Sequence, residues 1–247
     1  MMAVEQKVEE SCGIPGFRQL VRETCQGVEC ESQQLPAEAT LDRARSAYSR
    51  RDYDEALALL QSQLQELQDP QASERGEALE LALRVCERSE RPDEALAYAS
   101  EWVEWTKRSG ENLTLARALS AKAETLEALG RLDEARQVRL EALDLAKKTW
   151  GTSGSFVALA RLALADVLRA QSAYPDAEAQ YIEALTELEG KSNRFHTAWV
   201  LEHYAVLLDQ TGRHEEAQRL RARAAVIEAE ADAASEASGI WKDTPLP

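Results

Sequence analysis

The strongest constraint on this chain is a motif that returns at nearly fixed intervals. RRDYDEALALL around Ala56, ERPDEALAYA around Ala95, LGRLDEARQV around Ala135, SAYPDAEAQY around Ala177 and TGRHEEAQRL around Ala217 superpose on their alanines, at spacings of 39, 40, 42 and 40 residues. A period of roughly 20 to 50 residues marks supersecondary units that cannot bury an apolar face alone and must stack. The chain is therefore expected to be a solenoid.

Each unit has the same internal grammar. TLARALSAKAETLEAL (114–129) places Leu115, Leu119, Ala123 and Leu126 on one helix face, and EARQVRLEALDLAKK (134–148) does the same with Ala135, Val138, Ala142, Leu143 and Leu145. Between them Gly130 stands where a left-handed residue closes the end of the first helix. Asp133 and Glu134 set negative charge against the positive dipole end of the second. Ala135 is small enough to let the paired helices approach. Composition agrees: 44% of residues are hydrophobic but only 6% aromatic, with Ala, Leu, Glu, Gln and Arg favouring helix over strand.

With that grammar in place, the chain resembles the tetratricopeptide repeat family over residues 38 to 230. The small position of the first helix reads Ala44, Ala123, Ala165 and Ala205, and the later alanine of the second reads Ala142, Ala184 and Ala224. The period and long first helices look most like the kinesin-light-chain-like branch. The resemblance implies an all-α superhelix of about five helical hairpins. Departures are Arg51, Glu90 and Ser172 where a turn glycine would stand, Leu83 at a small position, Gln63 and Trp102 at the later alanine, and Lys122 at an apolar site. Neither the carboxylate clamp nor the Asn ladder of the family carries over. The first-helix positions in question read Leu81, Ala121, Ala163 and His203, and Asn112 and Asn193 are placed in loops.

The domain organisation expected is a partly disordered or capping segment over residues 1–36, the repeat domain over 37–230, and a helix extension with a tail over 231–247, where Trp241 stands among polar residues. The net charge of −15 and pI near 4.8 argue against nucleic-acid binding, which needs clustered cations. They favour neutral or basic protein partners. No apolar run is long enough to span a bilayer, and MMAVEQKVEE lacks the pattern of a signal peptide. A cytoplasmic protein is expected, with Cys12, Cys25, Cys30 and Cys86 as free thiols and the Asn112-Leu-Thr114 sequon a chance match.

No chemistry-bearing constellation emerges. GTSGSF (151–156) lacks the ending of a phosphate loop and reads as the connection between repeats. The N-terminal cysteines lack zinc-site spacing, and His196 and His203 stand too far apart along a helix for adjacent-turn coordination. We expect no cofactor, no metal and no catalysis. What remains is the inner wall, where first helices line the concave side of a stack. Its candidate partner-binding residues are Arg84, Arg88, Arg117, Glu124, Glu127, Asp166, Arg169, Trp199, Glu202, His203 and Asp209, with Glu80, Glu87 and Ser120 beside them. The expected function is a noncatalytic adaptor or scaffold holding a peptide or helix in that groove. The alternatives are a self-assembling homodimer and a regulatory module that senses a signalling peptide.

Overall fold

A computed structural model describes residues 37–67, 69–152, 154–188 and 194–238. Residues 1–36, which hold Cys12, Cys25 and Cys30, lie outside them, as do Asn193 and the tail with Trp241. Among the described residues there are ten helices and no strand. They are α1 (Ala37–Ser49), α2 (Tyr53–Glu66), α3 (Ser73–Arg88), α4 (Pro92–Ser109), α5 (Asn112–Ala128), α6 (Leu132–Trp150), α7 (Ser155–Ala170), α8 (Tyr174–Leu188), α9 (Arg194–Gln210) and α10 (His214–Ser238). They pair into five hairpins. Consecutive helices pack on one another along the chain, as a solenoid requires. Asn112, placed in a loop by the sequence, is instead the first residue of α5.

The anchor alanines explain the pairing, because Ala56, Ala95, Ala135, Ala177 and Ala217 are all buried at the start of a second helix. Ala44, Ala123, Ala165 and Ala205 are equally buried in the first helices. The core runs as two large clusters, one from α1 through the first half of α6 with Val167 joining it, the other from the second half of α6 onward. A third, small cluster of Ala198, Leu201 and Ala224 closes the last hairpin.

All five hairpin turns share one geometry, with or without glycine. Arg51, Glu90, Gly130, Ser172 and Gly212 have φ of 64°, 58°, 71°, 61° and 78°. In each case the next residue donates its N–H back into the first helix: Asp52 to Ala47, Arg91 to Cys86, Arg131 to Leu126, Ala173 to Leu168 and Arg213 to Leu208, at 2.8–2.9 Å. This six-to-one bond closes the helix end, and it holds three L-residues in a conformation that costs roughly 1–2 kcal/mol. Glu90→Gly should therefore raise stability by about 0.5 kcal/mol, net of the entropy glycine loses on folding. Gly130→Ala should lower it comparably, since no atom lies within 4 Å of the added methyl and backbone strain alone is at work. Urea midpoints measure both, and equal midpoints would show the turns to be indifferent to φ.

The acidic start of the second helix has a role beyond its dipole. Arg91, just past the second turn, pairs with Asp54 of the preceding hairpin. Arg213, past the fifth turn, pairs with Glu178 at 2.6 Å, and Gln171 beside the fourth turn donates to Asp133 at 2.8 Å. These contacts stitch the second, fourth and fifth turns each to the hairpin before it.

Candidate functional site

The first helices are unevenly spaced. α1 packs on α3 and α7 on α9, whereas α3, α5 and α7 scarcely touch one another. A cavity of about 450 Å³ opens between these three. Its walls combine Glu80, Arg84 and Glu87 of α3, Arg117 and Glu124 of α5, and Leu159 and Ala163 of α7 with side chains from the second helices α4 and α6. The apolar part of the wall is substantial. Trp150, at the end of α6, stacks on Phe156 with ring centroids 4.4 Å apart and planes 20° apart. Phe156 is 49% exposed and Leu113, at the rim, 57%.

The charged part of the wall is only partly neutralised. Arg117 pairs with Glu80 at 2.5 Å and lies over the Trp102 ring, while Arg84 lies over Tyr48. Arg139 makes its close contact, 2.8 Å, to Glu127 and stands 3.9 Å from Glu124. The Glu87 carboxylate makes no ion pair or hydrogen bond among the described residues. Although the residue is exposed, partial desolvation by the surrounding protein raises its carboxyl pKa, and the Glu124 charge adds to this, with Arg84 and Arg88 pulling the other way. Glu124 stays wetted, yet the surrounding protein raises its pKa too, with Glu127 adding to the effect and Arg139 opposing it.

A second polar cluster joins α7, α8 and α9. The Trp199 indole donates to His203 Nε2 at 2.8 Å, and His203 Nδ1 lies 2.8 Å from Asp166 Oδ2. An indole nitrogen only donates, so Nε2 is the acceptor and Nδ1 carries the proton that Asp166 accepts. Asp166 also accepts from Tyr181 at 2.7 Å and pairs with Arg169 at 3.4 Å. Burial alone would raise the Asp166 pKa, but the hydrogen bonds from His203 and Tyr181 and the Arg169 charge outweigh it and hold the carboxyl below the usual range. Burial and the Asp166 charge raise the Tyr181 phenol well above its ordinary value. Tyr181 stacks on Tyr204, whose phenol is pushed up to about 12 by burial and by its hydrogen bond to Glu178. The His–Asp pair superficially matches two of the three members of a hydrolytic triad, but Trp199 occupies the nitrogen that a general base would use.

The structure thus divides the residues singled out in the sequence. Arg84, Arg117 and Glu124 line the cavity together with Glu80, Glu87 and Ser120. Arg88 is exposed in the last turn of α3. Asp166, Arg169, Trp199 and His203 meet in the second cluster. Glu127 is drawn toward α6 by Arg139, and Glu202 and Asp209 toward α10 by Arg221 at 3.8 and 2.7 Å. The apolar wall was not anticipated. Phe156 sits in the GTSGSF stretch, whose Gly151 and Gly154 form the connection between α6 and α7 while Ser155 and Phe156 already belong to α7. Trp102, noted only as a departure from alanine, was the one available signal.

Cys86 is buried. Burial, reinforced by the Glu94 charge, raises its thiol to about 11, so it stays protonated and unreactive at neutral pH. Among the described residues no group of three or more His, Cys, Asp or Glu side chains could hold a metal ion, and no helix is long and apolar enough to cross a membrane.

Residues 114–186, which contain α6 and α7 and most of α5 and α8, match the family model of the tetratricopeptide repeat. No curated protein matches the chain significantly. Among solved structures the chain is similar to BtubC (BKLC) from P. vanneervenii, with a TM-score of 0.61, 18% identity, and coverage of 85% of this chain and 92% of that one. It is similar to the nearly identical TPR-like repeats of a Podosopora anserina putative kinesin light chain, with a TM-score of 0.66, 15% identity, and coverage of 81% and 99%. A Rap protein complexed with Competence and Sporulation Factor is a third, with a TM-score of 0.57, 14% identity, and coverage of 90% and 61%. At these identities the likeness is one of fold.

Proposed function

We propose that this chain of tetratricopeptide repeats, kinesin-light-chain-like in its fold, is a noncatalytic interaction module that holds a segment of another protein between α3, α5 and α7. The observation that carries this reading is the coincidence of three properties at one place. The first helices spread there, the opening is large enough for several side chains, and Phe156 and Leu113 stand exposed on its wall. Apolar anchors in a pocket framed by charged side chains are how grooves of this kind draw affinity from a few contacts. A neighbour of similar fold is complexed with Competence and Sporulation Factor, which supports reading the solenoid as a surface that receives a guest.

The test is affinity capture from native lysate on the full chain, wild type beside Leu113→Asp with Phe156→Asp. Both side chains are exposed, so the pair should fold with unchanged helicity while the captured partner falls at least about tenfold. Identical capture by both proteins would place the interaction elsewhere. The geometry also argues against reversing the charge of Arg169 for this purpose. A glutamate there would sit beside Asp166 and disturb the Tyr181 cluster, so lost binding could reflect lost structure.

A further inference from the structure

Successive first helices are joined by side-chain pairs at three of their four contacts, and the fourth has none among the described residues. Arg45 of α1 pairs with Glu77 of α3 at 2.5 Å, Glu80 of α3 with Arg117 of α5, and Asp166 of α7 with His203 of α9. Among the described residues no ion pair joins α5 to α7. Glu124 stands eleven residues before its anchor alanine, the same register as Arg45 and Asp166 before theirs. The cavity wall contributed by α7 near it is Leu159 and Ala163, with no cation. Glu87 of α3 shares that wall without an ion pair, and Glu124 has only Arg139 of its own hairpin, at 3.9 Å. Two carboxylates are therefore left to repel one another next to an exposed aromatic stack.

We infer that the cavity between α3, α5 and α7 takes a short segment of another protein that presents a Lys or Arg side chain to Glu87 and Glu124 and an aromatic or aliphatic side chain to the Trp150–Phe156 stack. The inference rests on the binding reading above and adds the chemistry of the guest. Charge complementarity is the main argument. Arg117 and Arg139 are engaged by carboxylates and Arg84 is held over the Tyr48 ring of α1, while the Glu87 carboxylate has no ion pair among the described residues and the chain carries a net charge of −15, so a cationic guest is favoured. A guest cation would neutralise both carboxylates and supply the missing link between α5 and α7. An acidic guest would add to the repulsion. The raised pKa of both groups agrees with this, because the surrounding protein disfavours their charged form and a cation beside them would favour it.

The experiment is selection of a random dodecapeptide library on the full chain, followed by titration of the labelled consensus peptide. Selected sequences should be enriched in Lys or Arg spaced beside aromatic or aliphatic residues. Glu87→Gln with Glu124→Gln should weaken the consensus peptide at least about tenfold, Phe156→Ser should weaken it comparably, and Trp199→Ala should leave it unchanged. Loss of binding in the glutamine pair will not reflect unfolding. Removing two carboxyls whose ionisation the fold disfavours should leave thermal stability at neutral pH equal to wild type or higher.

Selection of acidic peptides, selection of none, or a consensus that ignores the glutamine pair would overturn the inference. If capture still depends on Leu113 and Phe156 in that event, the groove reading stands and only the guest chemistry falls. Residues 15–22, PGFRQLVR, carry the same chemistry within this chain. A consensus peptide that binds only when Phe17→Ser, Arg18→Glu and Arg22→Glu are combined would show the groove filled by that segment, against a separate partner.

Discussion

Gly76→Leu should cost about 3 kcal/mol of stability and melt the first three hairpins ahead of the rest. Gly76 lies inside α3, where glycine weakens a helix by roughly 1 kcal/mol relative to alanine, so its presence needs a packing reason. That reason is Trp105 of α4, whose ring atoms Cη2 and Cζ3 would lie 2.6 Å from a methyl added at position 76. Trp105 is itself buried at 7% exposure, so the ring cannot swing aside without opening the seam between α3 and α4. The expected gain in helix propensity is smaller than the overpacking penalty, and the balance is loss. Denaturant unfolding followed by tryptophan emission measures it. The cause is separable from a general intolerance of α3, because Trp105→Ala added to Gly76→Leu should recover most of the lost stability. A double variant no better than the single would place the problem elsewhere.

Asp166→Ala should be nearly as damaging, at about 3 kcal/mol, because it leaves the Tyr181 hydroxyl, the His203 Nδ1 proton and the Arg169 guanidinium without the acceptor they share. Asp166→Asn should fall between, since one amide oxygen can still accept from one of the donors. The penalty is pH-dependent with a definite sign. The folded-state pKa of Asp166 is lowered, so its contribution is fully present above the ordinary aspartate range, where the group is ionised in both states. It is lost as the pH falls through the lower folded value. The stability gap between wild type and Asp166→Ala should thus be constant near neutrality and shrink in acid. A gap that widened in acid would show the carboxyl to be favoured in its protonated form.

Most of the architecture was legible because burial follows the repeat. Fixing Ala56, Ala95, Ala135, Ala177 and Ala217 in register also fixes the turns before them and the helices on either side, and the three turns without glycine obey the same geometry as the two with it. The wall of the groove was harder to read for two physical reasons. Which first-helix acids face the opening depends on cations from the second helices: Glu127 is taken by Arg139, twelve residues on, and Asp209 by Arg221, and helical spacing says nothing about such pairs. Phe156 was hidden by its neighbours, since glycine and serine mark a loop and α7 begins before that composition ends. Gly76 carried no visible signal, because the atom that requires it belongs to another helix.

The unequal spacing of the first helices gives the rod a built-in defect of pitch. Its coils are closed where α1 meets α3 and where α7 meets α9, and slack in between. A guest lodged in the slack section would tighten the molecule at its midpoint and bring its two ends to a new angle. Occupancy of the groove would then be readable at a distance, as a change in the curvature of the whole protein.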